Sequence, residues 1–300
     1  MNEAMEKCRL DIIDVIERLY PKSDEMVQSK ISALSFFLAS SPNEFKSIVY
    51  EPSLCIILQG SKAVGFGHQM YHYRENEYLL ASTHIPADVK IIEASTQKPY
   101  RGLTLTFSLE AIYEVLKNVD ANKLKVQQKS EKGLFFDTLH VKLYEPILRL
   151  VKLLERSNEE IAFLSPLIMK EILYTLINEK SGYFLTKFAM EGTTSNKIVK
   201  AISEIKHNFS EKLNMAELAR RIDMSESHLY QNFKTITSLS PLQFQKKLRL
   251  EEAKKMLSVR NIDISEVAFL VGYESPSQFS REYSRMFGMP PKEHLKHLHA

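Results

Sequence analysis

The chain is poor in the features that mark several large protein classes. It has two cysteines, Cys8 and Cys55, in 300 residues. That is too few for a disulfide framework, and a reducing cytoplasm fits better than an oxidising compartment. No apolar run approaches the ~18 residues that a membrane span needs. The N-terminal stretch MNEAMEKCRLDIIDVIERLY is acidic and amphipathic. A secretory signal would instead put a basic region before an apolar one. The nine glycines form no Gly-rich phosphate loop, and no Ser-His-Asp order stands out. No His-x-His pair is followed by Glu at metal-site spacing.

What is present is ordinary material for a globular protein: 44% hydrophobic and 26% charged residues. The length exceeds what one core usually holds, so two domains are expected. The net charge of +3 hides an uneven distribution. From Asn196 onward there are 17 Lys and Arg against 12 Asp and Glu, and before it 23 against 25. A basic C-terminal third is compatible with nucleic-acid binding, although such an excess is often only a solvated surface.

The texture changes three times along the chain. Leu10, Ile13, Ile16 and Leu19 recur at helical spacing before Pro21, and Ile31, Leu34 and Leu38 predict a second short helix. Between Phe45 and Phe107, short apolar runs (53–60, 62–67, 77–83, 88–95, 101–107) alternate with turn residues. Their ten-residue rhythm predicts a β-sandwich or small barrel. Helices return after Ser108, a capped start to a helix reaching about Asn118. A long pattern covers 137–156, and Ser165-Pro166 predicts a helix opening at Pro166 and running to about Lys180. The small polar stretch 191–195 reads as a linker. It divides a domain at 1–190 from one at 196–300, and is expected to be protease-sensitive, with the C-terminal part folding alone.

The last hundred residues contain an internal repeat. LNMAELARRIDMSESHLYQNFKTITSLSP begins at Leu213, and IDISEVAFLVGYESPSQFSREYSRMFGMPP begins at Ile262. Each copy has a small residue where two helices cross (Ala219, Ala268). Next comes a turn residue that accepts positive φ (Asp223, Gly272). A Ser cap follows (Ser225, Ser275), and Ser275 with Gln278 has capping-box spacing. Leu229, Phe233 and Ile236 in the first copy, and Phe279, Tyr283 and Met286 in the second, make the core face. The opposite face is polar and free to enter a major groove. Two helix-turn-helix units are therefore expected, at about 213–237 and 262–288. The helix-forming stretch 242–257 joins them as a stiff connector.

These motifs resemble the DNA-binding domain of the AraC/XylS family of bacterial transcription regulators. The stretch DISEVAFLVGYESPSQFSREYSRMFGMPP is close to that family's signature. Asp223 and Ser238 are departures, since the family usually has Gly at both places. The stretches EPSLCIILQGSK, KPYRGLTLTFSLEAI and LSPLIMKEILYTLI resemble the regulatory domain of one branch of the family. The resemblance implies an α+β chain, with an N-terminal cupin-like β-barrel and flanking helices before an all-α domain. It implies a sequence-specific DNA-binding regulator, an activator in contact with RNA polymerase, with double-stranded DNA as partner and no cofactor.

Carried over by position, base contacts fall to Ser227, Tyr230 and Gln231 in the first unit and to Ser277, Gln278 and Arg281 in the second. Arg281 pairs naturally with guanine, whereas Lys234 and Arg285 lie further along and suit phosphate. Tyr50, Gln59, His84 and Tyr100 are the candidates for holding a small-molecule effector in the barrel. The helices at 137–156 and 165–180, with their long apolar stripes, are candidates for a homodimer contact. The rival reading is a cupin-type metal enzyme, an isomerase or dioxygenase, with an appended helical domain. His68, His72 and His84 are its ligand candidates, but no metal is expected. Cys55, inside LCIIL, reads as a buried small hydrophobe.

Overall fold

The computed structural model describes residues 3–21, 24–119, 131–259 and 262–298. Helix α1 (Glu3–Leu19) opens the chain and buries Ile12, Ile13, Val15 and Ile16. Leu10 and Leu19 lie at the exposed edge of its stripe. The strands that follow are β1 (Met26–Gln28), β2 (Leu34–Ala39), β3 (Lys46–Tyr50), β4 (Ser53–Gln59) and β5 (Ser61–Phe66). After them come β6 (Gln69–Arg74), β7 (Glu77–Ala81), β8 (Ile85–Glu93), β9 (Tyr100–Thr106) and β10 (Leu134–Thr138).

They form two antiparallel sheets, ordered β1-β2-β9-β4-β7-β10 and β3-β8-β5-β6. This is the expected barrel-like β domain, built on more strands than the sequence rhythm indicated. Residues 34–38 are one correction. They are strand, not helix, and pair with β9 through Leu34↔Leu105 and Phe36↔Leu103.

Helices cover the sheets. They are α2 (Leu109–Leu116), α3 (Val141–Lys152) with a 3-10 turn at Leu153–Glu155, α4 (Asn158–Ile177) and α5 (Gly182–Ala189). The pattern at 137–156 is thus split, because Asp137 and Thr138 belong to β10. Leu143, Ile147, Leu150 and Leu154 are all buried, as α3 packs against α1 and α4. The stripe expected at a dimer contact is therefore internal. Helix α4 starts eight residues before the expected Pro166. Its cap is Ser157, in a full capping box with Glu160.

The C-terminal part is helical: α6 (Thr194–His207), α7 (Met215–Arg221), α8 (Glu226–Thr237), α9 (Pro241–Val259), α10 (Ile264–Leu270), α11 (Pro276–Phe287) and α12 (Pro291–Leu298). The stretch expected as a linker is a tight turn ending in α6. Thr193 caps that helix, Ser195 and Asn196 are buried, and Asn196 Nδ2 donates to the Phe188 carbonyl at 3.0 Å.

The α6–α8 region shares a hydrophobic core with the N-terminal part and adds a few polar contacts to the β domain. The Gly133 N–H donates to the Ile236 carbonyl at 3.0 Å. Lys247 faces Asp88 at 3.9 Å, and Lys206 lies 3.8 Å from Glu51. Lys206 Nζ also donates to Nε2 of neutral His84 at 2.6 Å. Burial, and then the Lys206 charge, push His84 down to about 4.

A free His titrates near 6.5, so below that pH the unfolded chain takes a proton that the folded chain refuses. The stability is fully present above pH 6.5 and is lost as pH falls toward 4. We expect the stability of the full chain to drop by about 1 kcal/mol between pH 7 and 5.5 on this account. His84→Gln should flatten that part of the profile in urea titrations; an unchanged slope would show that His84 does not set it.

Candidate nucleic-acid interface

Each helix-turn-helix unit is built from the same local parts. Helix α7 is capped by Asn214 and α8 by Ser225; α10 is capped by Asp263 and α11 by Ser275. The capping box expected at Ser275 is only half made. Its hydroxyl accepts from the Gln278 N–H at 3.4 Å, but the Gln278 side chain turns to Glu282 at 3.1 Å.

The turn residues take left-handed backbone, with Asp223 at φ 54° and Gly272 at φ 88°. Asp223 is held by Lys197, whose Nζ donates to its carbonyl at 2.9 Å and its carboxylate at 2.7 Å. Ser238 and Gly288 end the two reading helices, again left-handed, at φ 64° and 78°.

Ala219 and Ala268 are buried where the helices cross. In the first unit Leu229, Phe233 and Ile236 are fully buried, and Phe233 meets Phe244 of α9 edge-on at 5.4 Å. In the second, Tyr273, Phe279, Tyr283 and Phe287 form a ladder of rings. Tyr283 Oη lies 2.9 Å from Nδ1 of His294 on α12. Met286 and Phe287 are both half-buried and pack against the edge of this core.

The connector α9 has 19 residues, about 28 Å at ~1.5 Å per residue. At its middle sits Arg249, which the sequence reading missed. Its Nε donates to the Phe209 carbonyl at 2.7 Å, and Nη1 to Gly272 at 2.6 Å. Nη2 donates to Glu211 at 2.9 Å and Ser210 at 3.2 Å. One guanidinium thus ties the segment after α6 to the turn of the second unit.

Against this frame the expected contact residues all face outward. Ser227, Tyr230, Gln231 and Lys234 are exposed along α8, and Ser277, Gln278, Arg281 and Arg285 along α11. Their spacing of three or four residues puts each set on one helix face. Of the eight, Gln278 is bound to Glu282.

The matching family models are those of the AraC-type transcriptional regulator N-terminus, over residues 30–184, and of a helix-turn-helix domain, over 218–297. The chain belongs to the AraC-type transcriptional regulators. It is similar to the raffinose operon transcriptional regulatory protein RafR of Pediococcus pentosaceus, 27% identical over 159 residues. That match takes in 52% of this chain and 56% of RafR. The lactose operon transcription activator of Staphylococcus xylosus is 22% identical over 250 residues, 82% of this chain and 84% of that one. Among solved structures, unsaturated fatty acid bound ToxT from Vibrio cholerae strain SCE256 has the same fold. Its TM-score is 0.58 at 13% identity, over 87% of this chain and 94% of ToxT. The regulator is a DNA-binding protein, and the metal-enzyme alternative is set aside because the matched domains are the AraC-type regulator N-terminus and a helix-turn-helix domain.

Of the four effector candidates, Tyr50 and Tyr100 lie near enough in the β domain to interact. Both are buried there, and desolvation raises both phenols well above their usual range. Gln59 donates to the Pro99 carbonyl at 2.6 Å, and His84 belongs to the contact with Lys206. His68 lies in the β5–β6 turn, and His72 is exposed on β6. Cys55 is buried, as expected.

A cleft of about 1110 Å³ lies elsewhere, between the β3-β8-β5-β6 sheet and the first unit. Phe45, Phe66 and Met70 give it an apolar wall; Lys132, Lys234 and Lys247 line it with amines, Lys247 facing the Asp88 carboxylate of the same wall at 3.9 Å. Lys234 therefore sits on the reading helix and in the cleft at once. The sequence carried no sign of this, because the cleft exists only once the two parts meet.

Two outcomes follow. A Cβ on Gly272 would lie 2.1 Å from the Ser210 carbonyl oxygen, whereas Gly288 has open space. Gly272→Ala should cost at least about 2 kcal/mol in urea denaturation and Gly288→Ala about 1; equal costs would refute the steric argument. Arg249→Met should leave its carbonyls unpaired, costing about 1–3 kcal/mol. It should weaken binding to a two-half-site operator while sparing a single half-site, and equal losses on both would mean that Arg249 does not set the spacing.

Proposed function

We propose that this chain is an effector-responsive transcription activator in the cytoplasm, which reads two half-sites with α8 and α11. The observation that carries the reading is the pair of exposed polar faces on one rigid frame, α9 with Arg249. Helices on such a connector reach successive major grooves, about 34 Å apart along one face of the duplex. One chain then suffices for a bipartite site. The domain division belongs at the Gly192 turn, between α5 and α6. Contact with RNA polymerase and self-association complete the reading.

The effector belongs in the cleft rather than among the barrel candidates. Its apolar wall and three lysines suit an organic anion with an apolar body. ToxT, which has the same fold, binds an unsaturated fatty acid, which supports that class.

The test separates base reading from charge. Arg281→Ala should cost ~1–3 kcal/mol on the selected operator and relax preference at one base pair. Lys234→Ala should weaken all sequences alike and lower the salt slope by roughly one. Binding-site selection on both variants decides. Should Lys234→Ala lose one consensus position while Arg281→Ala keeps them all, the two roles are reversed.

A further inference from the structure

Glu282 is the one acidic residue of the reading helix α11. A free carboxylate there would face the phosphates with the wrong sign. It is not free. Its side chain is only 21% exposed, and it is held from α9, from the turn before α11 and from α11 itself. Lys246 of the connector donates to Oε1 at 3.0 Å, and the Tyr273 hydroxyl donates to Oε2 at 2.9 Å. The third donor is Nε2 of Gln278, one turn earlier on α11, at 3.1 Å from Oε1. Burial pushes the Glu282 carboxyl up, but these three bonds outweigh it and hold it below its usual range. The group is therefore ionised and can only accept. That decides which way the Gln278 amide faces. Its nitrogen is turned to Glu282, and its oxygen and one amide hydrogen are left for a base. The first unit has no counterpart. Asn232, at the corresponding place on α8, is buried and donates to the His228 carbonyl at 2.7 Å.

We infer that Glu282 is a positioning residue for base reading: it fixes the Gln278 amide so that the second unit takes adenine and refuses guanine at one place in its half-site. The inference rests on the reading of α11 as a base-contacting helix, and deepens it by naming what aims one contact. Adenine offers an acceptor at N7 beside a donor at N6, whereas guanine offers two acceptors, N7 and O6. A free glutamine satisfies either base, because its amide can rotate to present oxygen with nitrogen or nitrogen alone. A fixed one cannot. With its oxygen held away from Glu282 it accepts from adenine N6, but it meets guanine O6 acceptor against acceptor. The support comes from outside the helix. Lys246 neutralises the carboxylate, and the Tyr273 ring is itself packed under Arg249 at 5.9 Å. The frame that joins the two units thus also aims a base contact in one of them.

Binding-site selection with the full chain tests this. The wild type should prefer adenine over guanine by about tenfold at one position, and Gln278→Ala should erase that preference. Glu282→Met keeps the length of the side chain and removes the acceptors. It should cut the preference to about twofold or less while the rest of the consensus stays, and it should change nothing further in a Gln278→Ala background. Losing a negative charge raises binding to all sequences alike, so the readout is the preference and not the affinity. Should Glu282→Met fail to fold by circular dichroism, Tyr273→Phe with Lys246→Met leaves the carboxylate in place but unheld, and should relax the same position. A folded Glu282→Met protein that keeps the adenine preference overturns the proposal. So does one whose changes fall at positions that Gln278→Ala leaves alone. A wild type that selects no consensus sinks the regulator reading itself. A consensus that Gln278→Ala leaves whole spares that reading and overturns only the role of Glu282.

Discussion

The geometry of the C-terminal part depends on one guanidinium. Arg249 reaches the carbonyls of Phe209, Ser210, Glu211 and Gly272. These come from the segment after α6 and from the turn of the second unit, whose core around Val267, Phe279 and Tyr283 also takes Phe209 at its edge. Only arginine can do this. Its five donors lie in a fixed plane, whereas a lysine offers one mobile point charge. Three of the four residues it bridges follow the C-terminal end of α6, where unpaired carbonyls concentrate negative potential. That potential offsets part of the cost of taking the cation out of water. Arg249 also sits over the Tyr273 ring at 5.9 Å, so the same cation is packed against the second unit as well as bonded to it.

The two units therefore relate differently to the β domain. The first shares a continuous core with it, from Ile12 to Phe244, and its last turn bonds to Gly133. The second connects through α9 and Arg249. A change in the cleft acts directly on the first unit, whose α8 supplies Lys234, Thr235 and Ser238 to its wall. It reaches the second unit along the connector and through the segment after α6, where Phe209 packs against the second core and Ser210 meets Gly272. Besides that core the polar contacts are the Gly133–Ile236 and Lys206–His84 hydrogen bonds and two ion pairs beyond 3.5 Å, Lys247 with Asp88 and Lys206 with Glu51. The ion pairs contribute little each, so the core shared by the first unit and the β domain carries most of the docking.

Legibility followed the physics of each segment. The tandem units were readable because the turn, cap and aromatic core recur twice, and each recurrence tests the other. Strand β2 was not readable. LSFFLA is buried on both faces, so it lacks the period-two alternation of a half-buried strand, and its leucines fall by chance at helical spacing. Helix α4 was misjudged for a related reason. Apolar residues on both its faces hid the capping box at Ser157, and Pro166 looked like a start. Arg249 stands in LQFQKKLRLEEAKKML among four lysines, with nothing local to distinguish it. Tyr50 and Tyr100 were rightly noticed as polar aromatics, but a barrel interior cannot be told from a pocket without knowing which way each strand faces.

The two departures from the family pattern show how far a left-handed turn constrains its residue. Asp223, Ser238, Gly272 and Gly288 all have positive φ, so conformation alone does not explain why the first unit accepts side chains. The surroundings do. The Asp223 side chain projects into solvent, 94% exposed, and gains an ion pair with Lys197. At the equivalent place in the second unit, the Ser210 carbonyl fills the space a Cβ would need. That carbonyl is held there by Arg249, as is the carbonyl of Gly272 itself. The requirement for glycine at 272 is thus a consequence of the staple. Where no such contact closes in, as at Ser238, the price is only the intrinsic strain of about 1 kcal/mol, which a well-packed unit can bear.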